Sequence, residues 1–134
     1  TDQSATSSYS LDRNGQLSVI SASVPTTETA ACWLVITDDG RYAYTTNTGS
    51  SSVSGYKVGA DGSLTLLDMG GVTASTGTGS SPIDAALSKN SRFLYVLSRG
   101  TNTISGFAVA DNGSLMPIGT VSGLPASVVG LAAR

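Results

Sequence analysis

Apolar and polar residues follow one another along this chain in short runs that are separated by turn-forming residues. Residues 33–37 are continuously apolar up to a final threonine, which is typical of a strand buried on both faces. Later runs alternate aromatic or aliphatic residues with small polar ones, and a period of two predicts half-buried strands. The predicted strands cover residues 33–37, 41–46, 52–58 and 63–67, and then 83–88, 92–97, 103–109 and 114–118. No segment has a helical period, so the pattern predicts an all-β fold.

The predicted strands belong to an internal repeat. Residues 40–67 align with residues 91–118 without a gap, at a constant offset of 51 residues. A partial copy opens the chain, where residues 9–17 repeat residues 56–64 at an offset of 47. Self-similarity with a period of about 40 to 50 residues is typical of a repeat architecture.

An Asp-Gly or Asn-Gly pair precedes the last strand of each copy. These pairs are Asn14-Gly15, Asp61-Gly62 and Asn112-Gly113. Each predicts a hairpin with a two-residue type I′ turn, because that turn needs positive φ at both central positions. Asp38 is expected to form a further turn in the same unit.

Four short antiparallel strands cannot bury both of their faces alone, so neighbouring units are expected to stack. Radial stacking gives a β-propeller, in which the first strand of each blade lines the central axis. A β-sandwich and a β-solenoid are the alternatives. Solenoid repeats are shorter, and a sandwich does not explain a period of 51 residues, so blades of a propeller are predicted.

The repeat residues resemble those of a known family. The pattern Asp-Gly-Arg-Tyr-x-Tyr-x-x-Asn-x-Gly begins at Asp39, and Val-Ser-x-Tyr-x-Val and Asp-Gly-Ser-Leu-Thr follow it. It is similar to the repeat of the lactonase family of seven-bladed propellers, which includes 6-phosphogluconolactonases, 3-carboxymuconate cyclases and many secreted members. Residues 44–47 and 95–98 are similar to a related YVTN-type repeat. The resemblance covers nearly the whole chain and is specific for the fold, not for an activity.

The repeat divides the chain into four parts. Residues 1–24 are expected to form the last two strands of a partial blade, 31–68 and 82–120 two complete blades, and 123–134 a ring-closing first strand of a further blade. Because this arrangement leaves unpaired strand edges, we expect the C-terminal portion of a longer propeller, truncated or nicked. Its expected partners are the remaining blades on a second polypeptide or copies of the chain itself. A free monomer is the form least expected.

Composition narrows the range of functions. The net charge of −2 and the pI of about 4.7 provide no basic surface for a phosphate backbone, so no nucleic-acid partner is expected. No apolar run is long enough to span a membrane, and we expect a secreted or periplasmic location, with the cytoplasm as the alternative. The chain lacks histidine, the commonest metal ligand and general base, and no metal or cofactor is expected. Its single cysteine, Cys32, is expected to be a small buried residue.

Ligands of propellers usually lie over the axial channel, where the loops of one rim meet. The loops expected to share that rim cover residues 25–30, 47–51, 70–82 and 98–102. Glu28, Asp84 and Arg99 are the candidates for catalysis there. A carboxylate beside the channel can act as a general base, and a guanidinium can bind a carboxylate or phosphate through two hydrogen bonds. The alternative for each residue is a solvated surface position.

Trp33, Asn47 and Asn102 are the candidates for ligand binding. Trp33 can stack on a sugar or another ring, and the alternative is packing between blades. The glycine-rich residues 70–79 lack the Gly-Lys-Ser/Thr ending of a phosphate-binding loop, so they are expected to form a flexible loop.

Three functions remain open. The first is a non-catalytic scaffold or small-molecule-binding module that is completed by association with other blades. The second is a fragment of a lactonase-like or muconate-cyclase-like enzyme that shares an axial site with missing blades. The resemblance implies histidine, arginine and glutamate over the channel, and the missing histidine counts against an independent enzyme. The third is a carbohydrate-binding propeller built from several short chains, although Trp33 aligns with Asp84 and not with another aromatic residue.

Overall fold

The computed structural model describes residues 4–134, which form eleven strands and no helix. None of these residues therefore belongs to a helix of the length and hydropathy that crossing a bilayer requires. The first three residues of the predicted partial blade over residues 1–24 lie outside the described residues. The strands are β1 (Ala5–Leu11), β2 (Leu17–Pro25), β3 (Ala31–Ile36), β4 (Tyr42–Asn47), β5 (Ser52–Val58), β6 (Leu64–Leu66), β7 (Ala74–Ser75), β8 (Pro82–Leu87), β9 (Phe93–Ser98), β10 (Thr103–Val109) and β11 (Leu115–Ser122).

The strands form three antiparallel sheets that follow one another in chain order. β1 and β2 form the N-terminal hairpin, β3 to β7 form the central blade, and β8 to β11 form the C-terminal blade. Consecutive strands of each blade are neighbours, except that β7 pairs with β5. The predicted all-β fold of four-stranded antiparallel blades is confirmed.

Strand boundaries agree best with the prediction in the third strand of each blade, where β5 and β10 have the predicted ends. β11 continues to Ser122 because it pairs with β10 along its whole length. The described chain after Ser122 contains no strand. Residues 123–134 therefore do not form the predicted strand within this chain, and their role in a further blade stays a prediction.

The hairpin before the last strand of the central blade differs from the predicted type I′ turn. Only Gly62 has a positive φ there, of 84°. The backbone N–H of Gly62 donates to the Gly59 carbonyl at 2.8 Å, and the Gly59 N–H donates to the Ser63 carbonyl at 2.8 Å. This is a type I turn closed by a glycine bulge. Asp61 favours it because its Oδ1 accepts hydrogen bonds from both the backbone N–H and the hydroxyl of Ser63.

The fourth strand of the central blade is interrupted. The chain leaves the sheet after Leu67 and returns at Thr73, whose backbone N–H donates to the Val53 carbonyl at 2.8 Å. The Thr73 hydroxyl accepts a hydrogen bond from the backbone N–H of Gly55 at 2.9 Å. The prediction of a flexible loop over residues 70–79 is therefore wrong for Ala74 and Ser75, which pair with β5 and continue the fourth strand.

The central and C-terminal blades pack face to face. We call the face of a unit that carries Tyr56 and Leu64, or their equivalents Phe107 and Leu115, its leading face. The opposite face, which carries Tyr44 in the central blade, is its trailing face. The core between the two blades consists of Tyr42, Tyr44, Val53 and Ala74 from the trailing face of the central blade and Ala85, Leu94, Val96, Phe107 and Leu115 from the leading face of the C-terminal blade. Each large apolar side chain buried in such a core contributes about 1.5–3 kcal/mol.

Two buried tyrosines link one unit to the next through their hydroxyls. Tyr44 Oη donates to the carbonyl of Gly113 in the C-terminal blade at 2.8 Å. Tyr56 Oη donates to the carbonyl of Val24 in the N-terminal hairpin at 3.2 Å. Burial raises the pKa of both tyrosines, and a hydrogen bond with Thr6 partly offsets the rise in the pKa of Tyr56.

The first strand of the central blade is more exposed than predicted. Cys32, Trp33 and Ile36 are all exposed on β3, so the predictions of a strand buried on both faces and of a buried Cys32 are wrong. Leu34 is 38% exposed, whereas its equivalent Ala85 on β8 is 4% exposed. The difference arises because β8 lies against a complete blade, whereas the described residues before β3 provide only a two-stranded hairpin. Trp33 is 50% exposed and is therefore not buried between the described blades.

Candidate functional site

Four loops lie at one edge of the two blades, which we call the upper rim. They cover residues 25–30, 47–51, 76–82 and 98–102. The backbone N–H of Thr48 donates to the Ala30 carbonyl at 2.9 Å, and the N–H of Gly100 donates to the Ser80 carbonyl at 2.7 Å. The Thr48 hydroxyl donates to the Pro82 carbonyl at 2.7 Å and so joins the two blades. These hydrogen bonds connect the loops as the shared rim requires, except that β7 (Ala74–Ser75) interrupts the predicted loop over residues 70–82.

Glu28 belongs to a hydrogen-bonded network on the upper rim. Its Oε2 accepts a hydrogen bond from the Ser52 hydroxyl at 3.1 Å, and its backbone N–H donates to Thr26 Oγ1 at 3.0 Å. Ser52 Oγ in turn accepts from Nδ2 of Asn47 at 3.0 Å. The half-buried carboxylate is therefore held in a fixed orientation at the rim. A role for it as a general base stays a prediction.

Asn47 is fully buried beneath this network. Its Nδ2 also donates to Ser54 Oγ at 2.9 Å, whereas its Oδ1 has no partner among the described residues. Ser98 occupies the same repeat position in the C-terminal blade, and its buried Oγ likewise lacks a described partner. A direct contact between Asn47 and a ligand would require the network to open.

Asp84 is buried on β8 at the repeat position of Trp33. Its Oδ1 accepts a hydrogen bond from the Ala85 N–H at 2.7 Å, and its Oδ2 accepts one from the Leu131 N–H at 2.7 Å. The interpretation of Asp84 as a solvated strand-end acid is therefore wrong. The carboxylate anchors residues 123–134, which we call the C-terminal segment, to the C-terminal blade.

Arg99 and Asn102 lie in the same turn of the upper rim. The Arg99 side chain is exposed and forms no ion pair with the described residues. Asn102 has a left-handed φ of 52°, and the equivalent Ser51 has a φ of 57°. The Asn102 carbonyl accepts a hydrogen bond from the Leu124 N–H at 3.2 Å. Asn102 therefore determines the shape of the turn, and no contact with a ligand is needed to explain it.

The three predicted catalytic residues, Glu28, Asp84 and Arg99, form no direct polar contact with one another among residues 4–134, and their role in a shared site stays a prediction. Over the same range, no three side chains of Cys, Asp or Glu are grouped closely enough to hold a metal ion. Nor does the chain repeat an aromatic pocket from blade to blade, because half-exposed Trp33 has buried Asp84 as its counterpart.

The sequence did not predict a cleft of about 200 Å³ between the two blades at the opposite rim. Its charged lining residues are Asp38, Asp39, Arg41, Arg92 and Asp111. Arg41 Nη2 donates to the Asp111 carbonyl at 3.1 Å, and the guanidinium lies 5.3 Å from the centre of the Tyr42 ring. The sequence feature that could have indicated this cleft is an arginine at the same position of both repeats, Arg41 and Arg92. Because Arg41 bonds to the neighbouring blade, it fastens the two blades together.

Asp39 also lines this cleft, and its carboxylate attracts the Arg41 guanidinium only weakly. Its Oδ1 accepts a hydrogen bond from the Thr37 hydroxyl at 2.6 Å, and its Oδ2 lies 3.7 Å from Arg41 Nη1. The Thr37 hydrogen bond, followed by one from the Arg41 backbone N–H, holds the pKa of Asp39 below 3.8. Both side chains of this ion pair are exposed, so solvent screens the attraction between Asp39 and Arg41.

One protein family matches the chain over most of its length. The family is described as "Lactonase, 7-bladed beta-propeller", and the match covers residues 7–124. No curated protein sequence matches the chain significantly.

Solved structures of low sequence identity share the fold. A protein from Lactobacillus plantarum gives a TM-score of 0.76 at 15% identity, over 94% of this chain and 38% of that one. A functionally unknown protein from Desulfotomaculum acetoxidans gives 0.75 at 20% identity, over 95% and 39% of the two chains. The periplasmic gluconolactonase of Pseudomonas aeruginosa gives 0.69 at 20% identity, over 92% and 37%. The chain spans less than two fifths of the length of each of these proteins.

Proposed function

Because the chain belongs to the lactonase family of seven-bladed β-propellers, we propose that it is a non-catalytic part of such a propeller. In this proposal it is a scaffold or ligand-binding module that is completed by association with other blades. The exposure of apolar residues at both ends of the stack carries the proposal. Leu17 of the N-terminal hairpin is 68% exposed, and Ile118 of the C-terminal blade is 52% exposed. Exposed apolar surfaces of this kind are typical of interaction sites.

The roles of the candidate residues support the absence of catalysis in this chain alone. Asp84 is occupied by two backbone N–H groups, and Glu28 is hydrogen-bonded within its own rim network. The sequence has no histidine to act as a general base near neutral pH. A shared fold does not by itself supply an activity.

A second candidate function is that of an enzyme fragment that contributes to an axial site. Glu28 and Arg99 favour it, because both lie on the upper rim and Arg99 is exposed without an ion-pair partner among the described residues. In this alternative, further blades provide the remaining groups. Gluconolactone is the substrate to test, because one structural relative is a gluconolactonase.

Hydrolysis of gluconolactone by the purified chain tests the proposed function. We expect a rate equal to that in buffer alone. Saturable hydrolysis that is lost in Arg99→Ala and kept in Arg13→Ala, an exposed arginine of the N-terminal hairpin, would contradict it. Activity that emerges only when a separate polypeptide carrying the remaining blades is added would favour the enzyme fragment instead.

A further inference from the structure

One contact recurs at both boundaries between units in this chain. A long apolar side chain from the trailing face of one unit covers the turn glycine of the next unit. At the first boundary, Ile20 lies so close to Gly62 that a Cβ there would be 2.6 Å from Ile20 Cδ1. At the second boundary, a Cβ on Gly113 would be 3.0 Å from Leu67 Cδ1, and the Tyr42 ring, at 2.5 Å, would be closer still. Both glycines have a φ of 84°, so the same turn geometry receives the same kind of side chain twice.

The second boundary adds a polar contact to this apolar one. Tyr44 Oη donates to the Gly113 carbonyl at 2.8 Å, next to the position where Leu67 covers the same residue. Phe107 and Leu115 flank that turn on the leading face and are buried against the central blade. The complete contact thus consists of a tyrosine and an aliphatic residue on one side, and a hairpin with a glycine turn on the other.

The C-terminal blade presents the first half of this contact with Ile118 exposed, while residues 131–134 of the C-terminal segment line a cleft with Tyr95 on the same face. By the repeat, Tyr95 corresponds to Tyr44 and Ile118 to Leu67. Ile118 packs over Gly106 in the same way that Leu67 packs over Gly55. An open cleft of about 310 Å³ lies on this trailing face, and its lining includes Tyr95, Gly106 and Ile118.

The N-terminal hairpin presents the second half, without a partner among the described residues. Gly15 has a φ of 81°, and no atom lies within 4 Å of the position that a Cβ would take there. The apolar residues on its leading face are all exposed: Tyr9, Leu11, Leu17 and Val19. Tyr9 pairs with Val19 and Leu11 pairs with Leu17, as Phe107 pairs with Pro117 and Val109 with Leu115 in the C-terminal blade.

We infer that the trailing face of the C-terminal blade binds the N-terminal hairpin of a second copy of this chain. Ile118 covers Gly15 of the second copy, and Tyr95 Oη donates to the carbonyl of that glycine. The inference rests on the proposed function, because it names the blade that completes the module. The interface is heterologous, since two different surfaces meet, and it therefore produces either a closed ring or an open chain of copies.

Sedimentation of the wild-type chain and of two charged variants tests this arrangement. Ile118→Glu blocks the trailing face, and Leu17→Glu blocks the leading face of the hairpin, where both side chains are exposed. We expect the wild-type mass to rise above 13.4 kDa with concentration over about 1 μM to 1 mM. Each variant alone should stay monomeric. An equimolar mixture should form a one-to-one heterodimer and nothing larger, because one intact pair of surfaces remains.

Two further variants control the experiment. Met69→Glu introduces the same charge at a residue that is 97% exposed and lies on neither face, and it should associate as the wild type does. Tyr95→Phe is conservative and should weaken association about fivefold to tenfold through loss of one hydrogen bond. Thermal unfolding of each monomer should be unchanged, which separates a blocked interface from a lost fold.

A wild-type chain that stays monomeric over the whole concentration range would overturn the inference. So would a Leu17→Glu variant that still associates, or a mixture of the two charged variants that forms no heterodimer. None of these outcomes bears on catalysis. Hydrolysis of gluconolactone that depends on Arg99 would instead overturn the proposed function, whatever the mass of the chain.

Discussion

The hydroxyl of Tyr44 donates a hydrogen bond of 2.8 Å to the carbonyl of Gly113, across the boundary between the central and C-terminal blades. The two residues are 69 positions apart in the chain, and the tyrosine is fully buried. A buried carbonyl that loses its hydrogen-bond donor incurs a desolvation penalty. Removing the Tyr44 hydroxyl should therefore destabilise the fold by more than the net contribution of one hydrogen bond.

Tyr44→Phe is therefore expected to lower the free energy of unfolding by about 1–3 kcal/mol. Tyr9→Phe is the matched control, because Tyr9 is 51% exposed, and it should change the free energy by less than about 0.5 kcal/mol. Denaturant unfolding at a concentration where the chain is monomeric measures both. Equal stabilities of the two variants would show that the hydroxyl of Tyr44 does not hold the blades together.

Alanine at Gly113 and at Gly15 should separate backbone strain from packing between blades. Both glycines have left-handed φ angles, of 84° and 81°, so alanine should cost about 1–2 kcal/mol at either position. At Gly113 the new Cβ would also lie 2.5 Å from Tyr42 Cδ1, whereas Gly15 has open space. We expect Gly113→Ala to be the more destabilising by about 1–3 kcal/mol, measured by thermal or denaturant unfolding. A smaller effect at Gly113 than at Gly15 would contradict this account of the interface.

Asp84→Ala should release the C-terminal segment. The mutation removes the carboxylate oxygen that accepts a 2.7 Å hydrogen bond from the Leu131 N–H. We expect hydrogen exchange of the Leu131 amide to become at least about tenfold faster, which corresponds to about 1.4 kcal/mol. Asp68→Ala, which removes an exposed carboxylate bonded to Thr73, is the control and should leave that amide unchanged. Unaltered exchange at Leu131 in Asp84→Ala would show that the segment is held by other contacts.

The Asp61 hairpin predicts a dependence of stability on pH. Hydrogen bonds from the hydroxyl and then the backbone N–H of Ser63 hold the pKa of Asp61 below 3.8. Because the pKa is lower in the folded state, the resulting stability is present above pH 3.8 and is lost as pH falls through the lowered value. Ser63→Ala should raise the Asp61 pKa towards 3.8 in an NMR titration and weaken the pH dependence of unfolding.

Ser114→Ala is the matched control for this pH effect. Ser114 Oγ donates to Asn112 Oδ1 at 2.8 Å in the equivalent hairpin, where the acceptor does not titrate. Its replacement should leave the acid titration of Asp61 unchanged. If both serine variants altered the titration equally, the hydrogen bond to the carboxylate would not be the cause of the lowered pKa.

The strands were predictable because their signals are local. The alternation of apolar and polar residues and the positions of the glycine turns predicted the ends of β5 and β10 that the structure shows. The turn type was not predictable from the Asp-Gly pair alone. The Asp61 carboxylate accepts a hydrogen bond from the Ser63 N–H, so Asp61 keeps a negative φ and Gly62 alone adopts the left-handed conformation.

Burial and site geometry were less predictable because they depend on distant partners. Leu34 and Ala85 occupy the same repeat position, yet only Ala85 has a complete blade against it. Asp84 finds its partner Leu131 at a separation of 47 residues, and no local pattern indicates that pairing. The upper rim was predicted correctly from the order of the strands, whereas the convergence of Glu28, Asp84 and Arg99 on one site was not observed within the described residues.

The interrupted fourth strand has a consequence for how such repeats diverge. The hairpin glycines Gly15 and Gly62 are 47 residues apart, whereas Gly62 and Gly113 are 51 apart. The additional length falls after the start of the fourth strand, where the chain leaves the sheet at Leu67 and rejoins it at Thr73. Insertions and deletions can accumulate at this gap without shifting the register of either flanking strand. Blades of unequal sequence length can thus remain interchangeable in shape.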